Sequence, residues 1–262
     1  MTPSKLEYSM MKRAKSNLGI SKNITPSLNQ MKTILINLFT FFIVLSASAH
    51  AVFIETSLKG TKGKLHTVKV VYGEPDEHEL ISKWWWYKDG TQITLTLIKP
   101  DGSTSSLTTA AQDNHLSASF IPDQEGVYHI SLKKDTDRKE GAKTQYQINA
   151  IATIQVGNSI IGNTAAHIDN ELFVFTNNIV SKNKKELSLT LFEKGKPAAN
   201  TAVQIIAPSG WIKWLQTNDQ GIIKFTPEWT GKYFAEVSKR EKATGQDFEE
   251  YSRASSMSFA VN

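Results

Sequence analysis

The stretch Phe120–Tyr128 reads FIPDQEGVY, and Phe225–Tyr233 reads FTPEWTGKY. Both follow the pattern F-x-P-x-x-x-G-x-Y, and each is preceded by a strand-like run that ends in Pro-x-Gly, at Pro100–Gly102 and at Pro208–Gly210. A strand, a Pro/Gly corner and a tyrosine that re-enters the core are a device of Ig-like and transthyretin-like sandwiches. Two copies predict two tandem β-sandwich domains rather than a solenoid.

Alternation of apolar and polar residues with a period of two dominates the sequence around these repeats. In the run Leu65–Tyr72, for example, His66 and Val70 share one face of the predicted strand. This spacing is typical of half-buried strands, and no segment has a strong helical period. We therefore expect an all-β protein with almost no helix outside the N-terminal leader at residues 31–49. On the same grounds His66 is predicted to be a core or rim residue.

A segment rich in glycine, asparagine and serine marks the predicted boundary between the two sandwiches. The strand pattern lapses after Val156, and residues 159–164 have the composition of a linker. We place the first sandwich domain at residues 50–158 and the second at residues 165–262.

Residues 31–49 have the three parts of a secretory signal peptide. Lys32 supplies the positive charge, the run Ile34–Leu45 is apolar, and an Ala-x-Ala site ends at Ala49. The apolar run is shorter than the roughly 20 residues of a transmembrane helix, and an uncleaved anchor is the alternative. Residues 1–30 precede this signal, and we interpret them as a disordered extension or as an artefact of the assigned start codon.

The leader carries the net charge of the chain. Six of the 30 basic residues and one of the 25 acidic residues lie in residues 1–49, so 24 of each follow. A neutral region lacks the basic surface that nucleic acids require, which argues against a nucleic-acid partner. The sequence has no cysteine, which excludes disulfides, a thiolate metal site and a lipid-modified cysteine. We expect a soluble mature chain in the periplasm or another extracytoplasmic compartment.

Five short motifs carry a resemblance to a known family. In order they are HAVFIE at residues 50–55, the glycine-rich turn Gly60–Gly63, YGE at residues 72–74, GKP at residues 195–197 and TNDQG at residues 217–221. The sequence resembles bacterial periplasmic proteins of a domain-of-unknown-function family that are often described as periplasmic components of nickel/cobalt uptake systems. The resemblance implies a periplasmic location and a metal-uptake permease of the inner membrane as partner. Phe53 stands where the family usually has tryptophan, and the chain has no histidine-rich tract.

His50 is the first candidate metal ligand. Cleavage after Ala49 would make His50 the first residue, and its amine and imidazole would be adjacent nitrogen donors for Ni(II), Co(II) or Cu(II). Cleavage after Ala51, which also fits the Ala-x-Ala rule, would remove His50 with the signal peptide. The simpler interpretation is a terminus without a role.

His78 is the second candidate metal ligand. It lies in the acidic run Glu74–Glu79, where carboxylates and an imidazole could together hold a divalent ion. A solvated acidic loop is the alternative, because charge runs are usually exposed. The run His78–Ser82 also begins like a zinc-protease motif, but Ser82 stands where the second histidine is required.

Two groups of aromatic residues are candidate sugar platforms: the run Trp84–Tyr87, and Trp211 with Trp214. The alternative is that they fill sandwich cores. Successive strand side chains point to opposite faces, so at least one of the three adjacent tryptophans is expected outside the core. By the same alternation His129 is predicted to point outward.

The sequence contains no serine-hydrolase, cysteine-nucleophile or phosphate-loop motif, and therefore favours a protein that is not an enzyme. Our first hypothesis is an exported, non-enzymatic binding or accessory protein, a periplasmic component of nickel/cobalt uptake. The alternative is a cell-envelope protein that binds glycan or another protein through exposed aromatic residues. A hydrolase with two carboxylates far apart in the chain would leave no local motif and is a third hypothesis.

Overall fold

The computed structural model describes residues 50–74, 77–88 and 91–262, and all of these residues belong to one compact unit. The predicted extension at residues 1–30 and signal peptide at residues 31–49 lie outside the described residues. The strands are, in chain order, β1 (Ala51–Thr56), β2 (Lys59–Gly60), β3 (His66–Glu74), β4 (Glu77–His78), β5 (Thr94–Ile98), β6 (Thr104–Thr108), β7 (Ala110–Ala111), β8 (Leu116–Phe120), β9 (Gly126–Asp135), β10 (Thr144–Val156), β11 (Leu172–Phe175), β12 (Val180–Ser181), β13 (Leu187–Glu193), β14 (Lys196–Pro197), β15 (Ala202–Ile206), β16 (Ile212–Gln216), β17 (Ile222–Phe225), β18 (Gly231–Lys242) and β19 (Glu250–Val261).

Helical structure in the described residues is limited to two 3₁₀ turns, Ile81–Lys83 and Ala165–His167. The prediction of an all-β fold with two β-sandwiches is confirmed. The domain boundaries at residues 158 and 165 stay predictions. In the part of the chain that the structure describes, no helix has the length and apolar character needed to cross a membrane.

Three sheets build the fold. The largest, here called the shared sheet, has ten strands, eight of them in the order β16-β15-β18-β19-β10-β9-β5-β6. The front sheet contains β1-β3-β8-β7 and β4, and the back sheet contains β11-β13-β14 and β17. The shared sheet crosses both halves of the chain because β10 and β19 pair in parallel, residues 144–152 with residues 250–258. Main-chain hydrogen bonds therefore join the two sandwiches edge to edge.

The two main hydrophobic cores lie on opposite faces of the shared sheet. Paired residues of neighbouring strands point to the same face, and successive residues of one strand point to opposite faces. Ala150, paired with Ser256, belongs to the core beneath the front sheet. Met257, paired with Ile151, belongs to the core beneath the back sheet. Each sandwich thus uses a different face of the same sheet.

The two sequence repeats form the same tyrosine corner. The Tyr128 hydroxyl accepts a hydrogen bond from the Gln124 amide at 3.1 Å and donates to the Gln124 carbonyl at 3.0 Å. Tyr233 makes the same pair of bonds to Trp229, also at 3.1 and 3.0 Å. Both tyrosines are buried. A buried hydroxyl needs such partners, so each corner anchors the tyrosine at the start of a long strand.

The repeated glycine of the pattern makes room for the repeated proline. Gly126 and Gly231 have φ angles of 136° and 130°, which favour glycine. A Cβ atom on Gly126 would lie 2.6 Å from Cβ of Pro100, and one on Gly231 would lie 2.9 Å from Cβ of Pro208. The Pro-x-Gly turn and the F-x-P-x-x-x-G-x-Y stretch of each sandwich are therefore one packed unit.

Strand β1 is the edge of the front sheet and lies across the shared sheet. The Ser258 hydroxyl of β19 donates a hydrogen bond to the Ile54 carbonyl at 2.9 Å. On the other face of β1, Phe53 packs edge-to-face against Phe234 of β18, with ring centroids 4.6 Å apart. These contacts occupy an edge strand that would otherwise offer unpaired carbonyls to other chains, and they tie the first sandwich to the second.

His129 is fully buried, so the prediction that it points outward is wrong. Its ring nitrogens lie 3.0 Å from Thr153 Oγ1 and 3.0 Å from the Gly162 carbonyl, and its ring lies 5.8 Å from that of Phe175. Burial lowers the pKa of His129 to about 4. In a two-layer sandwich, the strand face that alternation leaves polar is exposed to solvent. Here strand β11 covers that face of β9, which is why His129 is buried. His66, predicted in the core or at its rim, is buried.

Candidate functional site

A half-open pocket of about 150 Å³ lies where the front sheet meets the second half of the shared sheet. Its wall is mostly apolar, and its acidic residue is Glu236. The aromatic residues of the wall are His50, Tyr72, Trp85, Trp86 and Trp214. Cavities of this volume hold a benzene-sized group. The pocket thus brings together side chains from both sandwiches and from widely separated parts of the sequence.

One wall is built by the three adjacent tryptophans. Trp84 and Trp86, two positions apart and directly after the 3₁₀ turn at Ile81–Lys83, stack with centroids 5.1 Å apart. Tyr72 of β3 contacts both rings edge-on, at 6.1 and 6.5 Å. Trp85 is 58% exposed and packs against Tyr146 at 5.3 Å. The prediction that at least one of the three lies outside the core is confirmed, and the other two do fill the core.

The opposite wall is a row of side chains across the shared sheet. Trp214 pairs with Gln204, Gln204 pairs with Glu236, and Glu236 pairs with Ser256. Paired residues share a face, so all four side chains face the front sheet. Trp214 is 64% exposed and stands at the outer end of the row. The alternative that Trp211 and Trp214 fill a core is wrong, because both lie on the edge strand β16 or just before it and remain exposed.

Glu236 is the acidic group of the pocket, and its environment disfavours its charge. Burial, and secondly the nearby charge of Glu74, raise the pKa of Glu236 to about 8. Glu74 Oε1 is itself buried without a hydrogen-bond partner among the described residues. At neutral pH the Glu236 carboxyl is therefore mostly protonated.

The structure places the two predicted metal ligands against different neighbours. His50 is exposed and contacts Tyr72 edge-on, with centroids 5.6 Å apart, at the rim of the pocket. His78 Nε2 lies 3.8 Å from Glu55 Oε1. Across residues 50–74, 77–88 and 91–262, no group of three or more His, Cys, Asp or Glu side chains is arranged to hold a metal ion. Metal binding at His50 and His78 stays a prediction.

Titration with Ni(II) and Cu(II) tests that prediction. A chain that begins at His50 should bind one ion weakly to moderately through its free amine and imidazole, with His78 as a further candidate ligand. The affinity should fall at acid pH because the donors must be unprotonated. The control is the same chain with a methionine placed before His50. Equal affinity of the two chains in calorimetry would contradict a terminal metal site, as would a processed protein that begins at Val52.

Sequence reasoning missed Glu236 and Gln204. In β18 the apolar residues Tyr233, Ala235 and Val237 alternate with Glu236, which is the pattern of a solvent-facing glutamate. The available signal was Phe234, an aromatic residue on the same face two positions earlier. It indicated that this face is covered, but only the tertiary structure shows that the front sheet is the cover.

Comparison with known proteins assigns neither a family nor a function. No family model and no curated protein matches the sequence. Among solved structures, Salmonella α2-macroglobulin reacted with methylamine matches with 11% identity and a TM-score of 0.26 over 80% of this chain and 15% of that protein. The native Escherichia coli α2-macroglobulin matches with 7% identity and a TM-score of 0.26, over 81% of this chain and 17% of that protein. The chain thus spans less than a fifth of the length of either structure.

Proposed function

We propose that this protein is an exported, non-enzymatic binding protein of the cell envelope, and that it holds a small organic group of its ligand in the aromatic pocket. The observation that supports this proposal is the pocket itself. Sandwich interiors are close-packed, whereas here four large aromatic rings and one carboxyl group surround an open space. Concave, mostly apolar sites with a few placed polar groups are typical of ligand-binding sites.

The exposed tryptophans favour a binding role over a structural one. Trp85 and Trp214 are 58% and 64% exposed although they line a cavity. Exposed aromatic rings beside a cavity offer flat surfaces to a ligand, such as the ring of a sugar or an alkyl group. This supports the cell-envelope hypothesis over the metal-uptake hypothesis, which depends on the sequence resemblance and on a permease partner that remains a prediction.

Tryptophan fluorescence with a panel of small ligands tests the proposed function. The panel contains monosaccharides, neutral alcohols and amines. Ligands that change the fluorescence should bind about threefold to tenfold more weakly to Trp214→Ala, because one aromatic contact is removed. Trp211→Ala is the matched control, since Trp211 is also exposed but lies outside the pocket lining. Ligands whose affinity is equally insensitive to both substitutions bind elsewhere, and the proposed site is then wrong.

A further inference from the structure

We propose that the group held in the aromatic pocket is an alkylated ammonium cation, with Glu236 as its counter-charge and with Tyr72, Trp86 and Trp214 as its aromatic wall. This inference rests on the proposed function and specifies its ligand class. The juxtaposition that carries it is a carboxyl group at the end of a mostly apolar, aromatic-walled pocket.

The aromatic wall is suited to a cation. The faces of Trp and Tyr rings carry negative charge density and attract cations within about 6 Å of the ring centroid. Tyr72 and Trp86 lie 6.5 Å apart at 76° to one another, so they present two differently oriented surfaces to one small group. Trp214 adds a third ring from the other sandwich. Rings on several sides of one space are the arrangement that recognises quaternary ammonium groups.

The carboxyl groups of Glu236 and Glu74 also lack a positively charged partner among the described residues. Among the described residues neither Glu236 nor Glu74 forms a salt bridge, and Glu74 Oε1 has no hydrogen-bond partner. Lys232, four residues before Glu236 in β18, is engaged by Glu55, with Nζ 2.8 Å from Oε1. A buried carboxyl without a cation is strongly disfavoured in its ionised form. A cationic ligand would supply the missing charge.

Two of the polar side chains that line the pocket are already engaged, while Ser255 Oγ and Gln204 are further polar groups of the lining; the engaged pair favours an alkylated rather than a primary ammonium. A primary ammonium donates three hydrogen bonds and needs acceptors for them. The Ser256 hydroxyl already donates to the Val52 carbonyl, and the Asn149 side chain bonds to Asn170 and to the Ala254 carbonyl. A trimethylammonium group donates no hydrogen bonds and fits the apolar wall.

Choline and its uncharged isostere 3,3-dimethylbutan-1-ol are the probes. Calorimetry with the purified full chain at about pH 9, where Glu236 is ionised, should show choline binding about tenfold or more tightly than the alcohol, because the carboxylate and the aromatic ring faces both favour a cation. Glu236→Gln should weaken choline binding more than binding of the alcohol, so that the preference falls to the part that the aromatic rings supply. Circular dichroism verifies that the variant is folded, and Trp211→Ala should behave as the unmodified chain does.

The pH dependence of choline binding provides a readout that a structural role of Glu236 would not produce. The charge of choline does not titrate, whereas Glu236 must lose its proton to act as counter-charge. Its raised pKa makes the affinity rise between about pH 7.5 and pH 9. The other titratable groups around it are Glu74, His50 and Tyr72, and burial raises the pKa of the Tyr72 phenol above its ordinary value. Glu236→Gln should abolish the rise.

The outcomes separate the two proposals. Equal binding of choline and the alcohol, both weakened by Trp214→Ala, would overturn the cation inference and leave the aromatic pocket as a binding site. Failure of both probes and of the whole fluorescence panel would overturn both proposals. Sedimentation with phosphatidylcholine vesicles distinguishes a lipid headgroup from a free or glycan-borne cation, because only the former brings the protein down with the lipid.

Discussion

Phe53→Ala is expected to lower the free energy of unfolding by about 3–5 kcal/mol, the usual cost of removing a fully buried phenylalanine. Phe53 is 1% exposed and belongs to a small cluster with Val71, Ile206 and Phe234. This cluster packs the outer face of the front sheet against the second sandwich. Its loss removes apolar burial and leaves a cavity at the contact that positions β1 beside the pocket. Urea unfolding followed by circular dichroism measures the effect.

Two further substitutions serve as controls for the loss of stability expected of Phe53→Ala. Phe53→Leu keeps most of the volume and should cost less than about 1.5 kcal/mol. Ile121→Ala removes an apolar side chain that is 60% exposed and should change the stability by less than about 0.5 kcal/mol. If Phe53→Ala costs no more than Ile121→Ala, the packing of the front sheet on the second sandwich is not as described.

Raising the pH from about 5 to about 9 is expected to destabilise the protein through Glu236, by on the order of 3–5 kcal/mol. The folded-state pKa of Glu236 is raised from 4.5 to about 8, chiefly by burial. The folded protein therefore keeps a proton that the unfolded chain releases. The resulting stabilisation is fully present below pH 4.5 and is lost as the pH rises through about 8.

Glu236→Gln isolates this contribution, because the amide has nearly the same shape and does not titrate. The variant should match the unmodified protein at about pH 4 and should be the more stable of the two at about pH 9, in urea unfolding curves at each pH. Glu74→Gln should raise the stability at neutral pH only slightly, since the charge of Glu74 is the smaller cause of the raised pKa of Glu236. Parallel stability curves for Glu236→Gln and the unmodified chain would show that the carboxyl group is not buried.

The class of fold could be predicted from local sequence because its determinants are local. The tyrosine corners join Tyr128 to Gln124 and Tyr233 to Trp229, four residues away in each case. Strand alternation is equally short in range. Pro, Gly and Tyr act through backbone angles and a local pair of hydrogen bonds, so two copies of the pattern were sufficient to predict two β-sandwiches.

The joining of the sandwiches was decided by the tertiary structure. Strands β10 and β19 are about a hundred residues apart, and their parallel pairing leaves no motif in either strand. The buried serines of β19, Ser256 and Ser258, are typical of an exposed face in the sequence, yet their hydroxyls donate to carbonyls of β1. His129 is likewise buried by distant residues, since its ring packs against Phe175 of β11 and lies 3.0 Å from the Gly162 carbonyl, on a face that alternation predicts to be exposed.

The sequence by itself determined the sandwiches, the exposure of one of the three adjacent tryptophans and the absence of any cysteine chemistry. Only the tertiary structure decided the pocket, since its walls come from β3, the Trp84–Trp86 segment, β16 and β18. The behaviour of Glu236 depends on burial beneath a sheet that is encoded more than a hundred residues earlier. A carboxyl group takes its pKa from its surroundings rather than from its neighbours in sequence, and those surroundings exist only after the front sheet has packed against the shared sheet.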